Sequence, residues 1–236
     1  MRRAWWNPGV EAQSRPQRHT GRLIAWLAFV LVLTGLAYLG RLGDDGTPDD
    51  VAYRYEYAIA ALVQYAVMLG ILLLIARGLP FRATFGLRRP ASWPRAIGLA
   101  VLALLVIFGA SAALSPFLDA TEEQGLVPDE WDPSRLPAFI AFFCVVAFVA
   151  PVVEELTYRG LGFALIAPWG TVLAVVATGV LFGAAHGLIV ALPVLTIFGI
   201  AVGWLRARTN SLYPPVLLHA TFNGLALIVS VTGAGG

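Results

Sequence analysis

The sequence predicts an all-α fold: a polytopic transmembrane helical bundle of about seven spans with its N terminus inside. Three observations predict it. Hydrophobic residues make up 58% of the chain and charged ones 13%, with a mean hydropathy of +0.77; a soluble domain carries about twice that share of charge. Several apolar runs are about 20 residues long, enough to cross a bilayer. The connections between the runs alternate in charge, as the positive-inside rule requires of a chain threading back and forth.

The elements follow in order. Residues 1–21 form a polar cytoplasmic arm with Arg2, Arg3, Arg15 and Arg18, and Arg22 follows it. No small-residue cleavage site succeeds the first apolar run, so residues 22–40 read as a retained span rather than a signal peptide. Further runs fall at 57–76, 95–114, 136–153, 171–187, 189–205 and 213–231. The last three are broken by Gly and Pro, which membrane helices tolerate. The second connection holds Arg77, Arg82, Arg88, Arg89 and Arg95, and the sixth holds Arg206 and Arg208; these belong inside. The first connection (Asp44, Asp45, Asp49, Asp50, Glu56) and the third (Asp119, Glu122, Glu123, Asp129, Glu130, Asp132) are acidic and face outward. The third reads as a solvated loop.

All sixteen basic residues are Arg, a composition that points to a GC-rich, bacterial source and so to the plasma (inner) membrane. Cys144 stands alone, which excludes a disulfide within the chain and a multi-cysteine metal cluster; it is expected to pack as a small buried hydrophobe. No internal repeat and no soluble second domain is visible. The lipid bilayer is the expected surrounding, and nucleic acid is not an expected partner.

Polar groups inside the apolar runs carry the functional signal. Of fourteen acids, only Glu154 and Glu155 directly follow such a run. An intramembrane carboxylate is costly, so it usually faces the bundle interior and serves function. Two adjacent carboxylates repel each other, an arrangement suited to handling a proton. Arg159 lies one turn after Glu155 and can pair with it. Tyr158 lies one turn after Glu154 and can hydrogen-bond it. On these residues alone, a structural salt bridge without chemistry is an equal reading.

His186 and His219 also lie in apolar segments, whereas His19 lies in the arm and is expected to be solvated. Asn223 is one turn beyond His219 and faces the same way. The Ala167-Pro168-Trp169-Gly170 turn suggests a helical hairpin. Glu154 and His186 are each 16 residues from Gly170, which sets both about 24 Å from the bend. The helix carrying Glu154 must then continue towards residue 166. His219 is harder to bring level, because its helix starts near Tyr213-Pro214-Pro215.

These residues resemble a known family. Glu154-Glu155-Leu-Thr-Tyr158-Arg159 is similar to an EExxxR pattern, Phe182-Gly-Ala-Ala-His186 to FxxxH, and His219-Ala-Thr-Phe-Asn223 to HxxxN. Their order and separation resemble the CPBP family of CAAX proteases and bacteriocin-processing enzymes, also called ABI. Gly199 to Gly203 with Thr209-Asn210-Ser211-Leu212 resembles a further family block, where Gly is commoner at the position of Asn210. Phe85-Gly86-Leu87-Arg88-Arg89-Pro90 resembles a frequent segment ahead of the core. The resemblance covers about residues 85–230. It divides the chain into the arm, N-terminal transmembrane helices and loops at 22–135, and a CPBP-like catalytic core at 136–231.

The resemblance implies an intramembrane endopeptidase. Glu154 and His186 would activate the attacking water, His219 and Asn223 would stabilise the oxyanion, and Glu155 and Arg159 would support the site. The implied mechanism is a glutamic peptidase without a cofactor. Zinc is the alternative, with Glu154, His186 and His219 as ligands. The implied partner is a peptide or a membrane-anchored protein substrate. Two readings of another class stay open: a non-catalytic immunity or scaffold protein of the same fold, and a proton-coupled transporter.

Overall fold

The computed structural model describes residues 19–42, 48, 50–118 and 131–232. Most of the Arg-rich arm, most of the acids expected to face outward and the C-terminal tail lie outside the described residues. Among the described residues every regular element is helical. We number them α1 (Thr20–Leu42), α2 (Tyr55–Ile75), α3 (Phe81–Thr84), α4 (Trp93–Leu114), α5 (Pro133–Trp169), α6 (Thr171–Ala184), α7 (Leu192–Thr209) and α8 (Tyr213–Val231).

Five of these, α1, α2, α4, α5 and α8, are long and apolar enough to cross a membrane. Leu31, Leu39, Val67, Leu105 and Phe108 are among the many large apolar side chains they leave exposed, as helices that face lipid do. The seven expected spans differ here in two members. The fifth, α6, has 14 residues, or about 21 Å at 1.5 Å per residue, short of a bilayer core. The sixth, α7, carries Arg206 and Arg208 in its last turn, which lowers its apolarity. The fourth runs far beyond its apolar stretch: α5 continues for 37 residues to Trp169. The turn at Gly170 then follows with φ 142°, and α6 begins at once.

α5 is not uniform. π-helical turns at Val145–Val149 and Leu156–Gly162 bracket a six-residue α segment, Ala150–Glu155. The wider turns leave carbonyls for side chains to claim. Trp26 of α1, fully buried, donates from its indole to the Thr157 carbonyl at 3.0 Å. Arg206 of α7 donates from Nε to the Arg159 carbonyl at 3.1 Å. Single-turn π features recur at functional sites.

α6 and α7 pack against each other through glycine. A Cβ on Gly179 would stand 2.7 Å from the Ile200 amide nitrogen, and one on Gly183 2.9 Å from that of Thr196. The same close approach of backbones is common between membrane helices.

The segment ahead of the core is a clamp. Phe85 is fully buried against Gly160. Arg88 donates to the carbonyl and the side-chain oxygen of Asn210, each at 2.8 Å, and the Ser211 hydroxyl donates to the Arg88 carbonyl at 2.6 Å. Asn210 has φ 50°, alone in that region among the described non-glycine residues. Left-handed backbone is where Gly is free of penalty and Asn is tolerated, so Asn here is a mild departure from the Gly that the resemblance suggests. Cys144 corrects an expectation: its side chain is exposed, not packed.

Candidate active site

Glu155 and Arg159 are both completely buried and joined by an Oε1–Nη1 contact of 2.8 Å, the pair their spacing predicts. Arg159 also donates from Nη2 to the Gly199 carbonyl at 2.7 Å and lies 4.6 Å over the Phe182 ring. The ion pair thus ties α5 to α6 and α7. The same Glu155 oxygen accepts a hydrogen bond from His219 Nδ1 at 3.0 Å. His219 is buried on α8 between Phe182 and Phe198, at ring distances of 5.6 and 4.9 Å.

Glu154 points the other way, towards a cavity. Its Oε2 lies 3.7 Å from His219 Nε2, beyond hydrogen-bond range. Its Oε1 accepts the hydroxyl of Tyr65 from α2 at 2.6 Å. The spacing pointed to Tyr158 for that role; Tyr158 is buried with its ring edge-on to Trp26 and Phe182, and the hydroxyl that reaches Glu154 comes from another helix.

His186 lies just past the end of α6, in the turn closed by Gly187, rather than within a span. Its Nδ1 contacts the Phe182 carbonyl at 2.8 Å. A carbonyl only accepts, so Nδ1 carries the proton, and in the neutral ring Nε2 is an acceptor. Gly187 has φ 67°, and a Cβ there would stand 2.7 Å from the Ala37 carbonyl carbon of α1, so α1 seats the turn that presents His186.

Asn223 donates from Nδ2 to the Val146 carbonyl at 3.0 Å. The π turn explains why that carbonyl is available. Ala150 donates its N–H back to Val145, and in the same register the partner of Val146 is Pro151, which has no N–H. One amide proton of Asn223 remains for other use.

Glu154, His186, His219 and Asn223 all line one cavity of about 530 Å³, with Tyr65, Tyr158 and Gln64. The rest of its wall is apolar, including Leu33, Leu36 and Ala37 of α1. Glu155 and Arg159 lie behind it. Sequence reasoning missed the α1 and α2 wall. A signal existed in α2: Gln64 and Tyr65 are the only polar side chains from Ala58 to Ile75.

Among the described residues, no three His, Cys, Asp or Glu side chains are grouped so as to hold a metal ion. Glu154, His186 and His219, the zinc set considered from sequence, do not form such a group in this geometry.

Residues 136–225 match the family model described as type II CAAX prenyl endopeptidase Rce1-like. This segment is Rce1-like. No curated protein and no solved structure matches the chain. The Rce1-like segment starts in the first turns of α5 and stops two residues beyond Asn223. It contains Glu154, Glu155, Arg159, His186, His219 and Asn223, whereas Tyr65 and the α1 wall precede it. The match accords with the CPBP resemblance of the three motifs, and the five apolar helices point to a multi-pass membrane protein.

Proposed function

We propose that this protein is an intramembrane endopeptidase that hydrolyses a peptide bond of a membrane-associated protein, with Glu154, His186, His219 and Asn223 as its catalytic residues. The observation that carries the proposal is their meeting on one largely apolar cavity. They come from three places far apart in the chain: mid-α5, the end of α6 and the middle of α8.

The chemistry follows from the free atoms. Glu154 Oε2 and His186 Nε2 are acceptors on residues that line the cavity, suited to taking a proton from a water as its oxygen attacks the scissile carbonyl carbon. The carbonyl oxygen becomes an oxyanion. Asn223 offers its second amide N–H to it. His219 donates from Nε2 in its imidazolium form, since Nδ1 is already engaged with Glu155. Such donors act where charge develops. The proton held by Glu154 then passes to the leaving nitrogen as the C–N bond breaks, so one water yields a carboxylate end and an amine end. Glu155 and Arg159 keep the His219 ring in place. The same proposal has the chain crossing the inner membrane seven times, N terminus inside, with α6 and α7 as short crossings.

The test is turnover. Wild type, Glu154→Gln and His186→Ala are reconstituted in liposomes with a quenched, farnesylated CAAX peptide, and cells carrying each are compared for new protein N-termini. Both variants should lose cleavage while keeping wild-type elution and thermal midpoint. Full turnover by either variant on a verified substrate would reject the mechanism.

A further inference from the structure

We infer that Tyr65, on α2 and outside the Rce1-like segment, is the positioning residue that commits one oxygen of Glu154 and leaves the other to act as base. The inference rests on the peptidase reading above.

The two neighbouring glutamates are held in different ways. Glu155 has an arginine and a histidine on one oxygen. Glu154 has the Tyr65 hydroxyl, at 2.6 Å from Oε1. A carboxylate accepts, so the phenol donates, and a contact this short belongs to the charge-assisted class. Among the described residues, its Oε2 has only the 3.7 Å approach to His219 Nε2. A carboxylate turns easily about its terminal bond, which is a broad two-fold torsion. Without Tyr65 the two oxygens would exchange places and the group would sweep the cavity. With it, Oε2 stays directed at the cavity beside His219.

Tyr65 is itself held by the fold. It is half-buried on α2 one turn before Met68, which is buried in the core, and α2 packs along α5. A helix the family match does not include therefore sets the aim of the base. The rate effect is orientational, because a displacement of about 1 Å can cost about 10²-fold.

Tyr65→Phe removes the hydroxyl and keeps the ring. With the full chain in liposomes and the farnesylated CAAX peptide as probe, kcat should fall about 10- to 100-fold, with KM within about twofold and an unchanged thermal midpoint. Infrared spectra of the resting protein supply a second readout. The carboxylate band that Glu154→Gln abolishes should move in Tyr65→Phe. Wild-type kcat overturns the inference, as does a loss shared between KM and thermal midpoint, or a carboxylate band that does not move. If Glu154→Gln itself cleaves at the wild-type rate, the peptidase mechanism fails, a result separate from any Tyr65 outcome. Should the wild type leave this peptide intact, the infrared comparison decides whether Tyr65 holds Glu154.

Discussion

Replacing Arg159 by methionine would leave the Glu155 carboxylate inside the bundle without its cation. The size of the loss follows from the contacts. Arg159 and Glu155 have no exposed surface, their pairing is 2.8 Å, and the second guanidinium nitrogen holds the Gly199 carbonyl at 2.7 Å. Removing one partner of a buried pair costs about 3–5 kcal/mol. Glu155 keeps the His219 contact at 3.0 Å, and methionine preserves most of the packing on Phe182, so the lower half of that range is expected. For a chain of this length 1 kcal/mol moves the midpoint by about 2–4 °C, so the drop should be at least about 6 °C. Trp26, docked on the Thr157 carbonyl two residues away, is a fluorescent reporter of the unfolding in detergent. Glu155→Gln/Arg159→Met removes the stranded charge, and it should be more stable than Arg159→Met alone. A single variant within about 1 kcal/mol of wild type, or a double variant no better than the single, would refute the claim that an unpaired buried carboxylate dominates.

Asn223→Ala should lower kcat by about 10²–10³, the usual loss for one oxyanion donor, in a steady-state assay; an unchanged kcat would restrict Asn223 to its Val146 contact. Gly179→Ala sets a methyl 2.7 Å from the Ile200 amide nitrogen, and overpacking of this kind costs about 1–3 kcal/mol, read as a lower thermal midpoint. Metal analysis of purified protein, with turnover before and after chelator, separates glutamic from zinc chemistry: the glutamic mechanism predicts full activity after metal removal. Ahead of α5, hydrogen bonds from Ser134 and Arg135 hold the Asp132 carboxyl below the usual carboxylate range. A lowered folded-state value means the contact contributes above the unfolded value and is lost as pH falls through the folded one. Fluorescence of Trp131, tilted against Tyr53 and edge-on to Phe139, should therefore change only in strong acid, below about pH 4.

Much of the core was legible because its signals are local. Glu155 and Arg159 are one helical turn apart, so their pairing needs nothing beyond helix geometry. The Gly170 bend, equidistant from Glu154 and His186, anticipated that both would reach one cavity. What stayed hidden depends on long-range packing. Tyr158 satisfies the spacing rule for Glu154, but π turns alter the side-chain phase along α5, and Tyr65 arrives from 89 positions away. Asn223 was read as an oxyanion-stabilising residue, and its tie to Val146 follows only once the π register beside Pro151 is known. The extent of α6 was also hidden, because the run reads as 171–187 while the helix ends at Ala184. The charge alternation of the connections is a property of the sequence, and helix length and apolarity carry no orientation, so the orientation rests on sequence alone.

The paired π turns of α5 have a consequence for how this bundle tolerates change. Each such turn amounts to one surplus residue, a phase slip of about 100° for everything beyond it. Deleting one residue from the stretch 145–149 would swing both glutamates around the helix axis together, Glu154 away from its hollow and Glu155 away from His219, although no polar side chain had been touched. The stretch before Val145 and the stretch after Gly162 could each keep their neighbours if one loss were matched by a gain on the far side. The six residues between them therefore behave as an indexable dial, set by chain length rather than by side-chain identity.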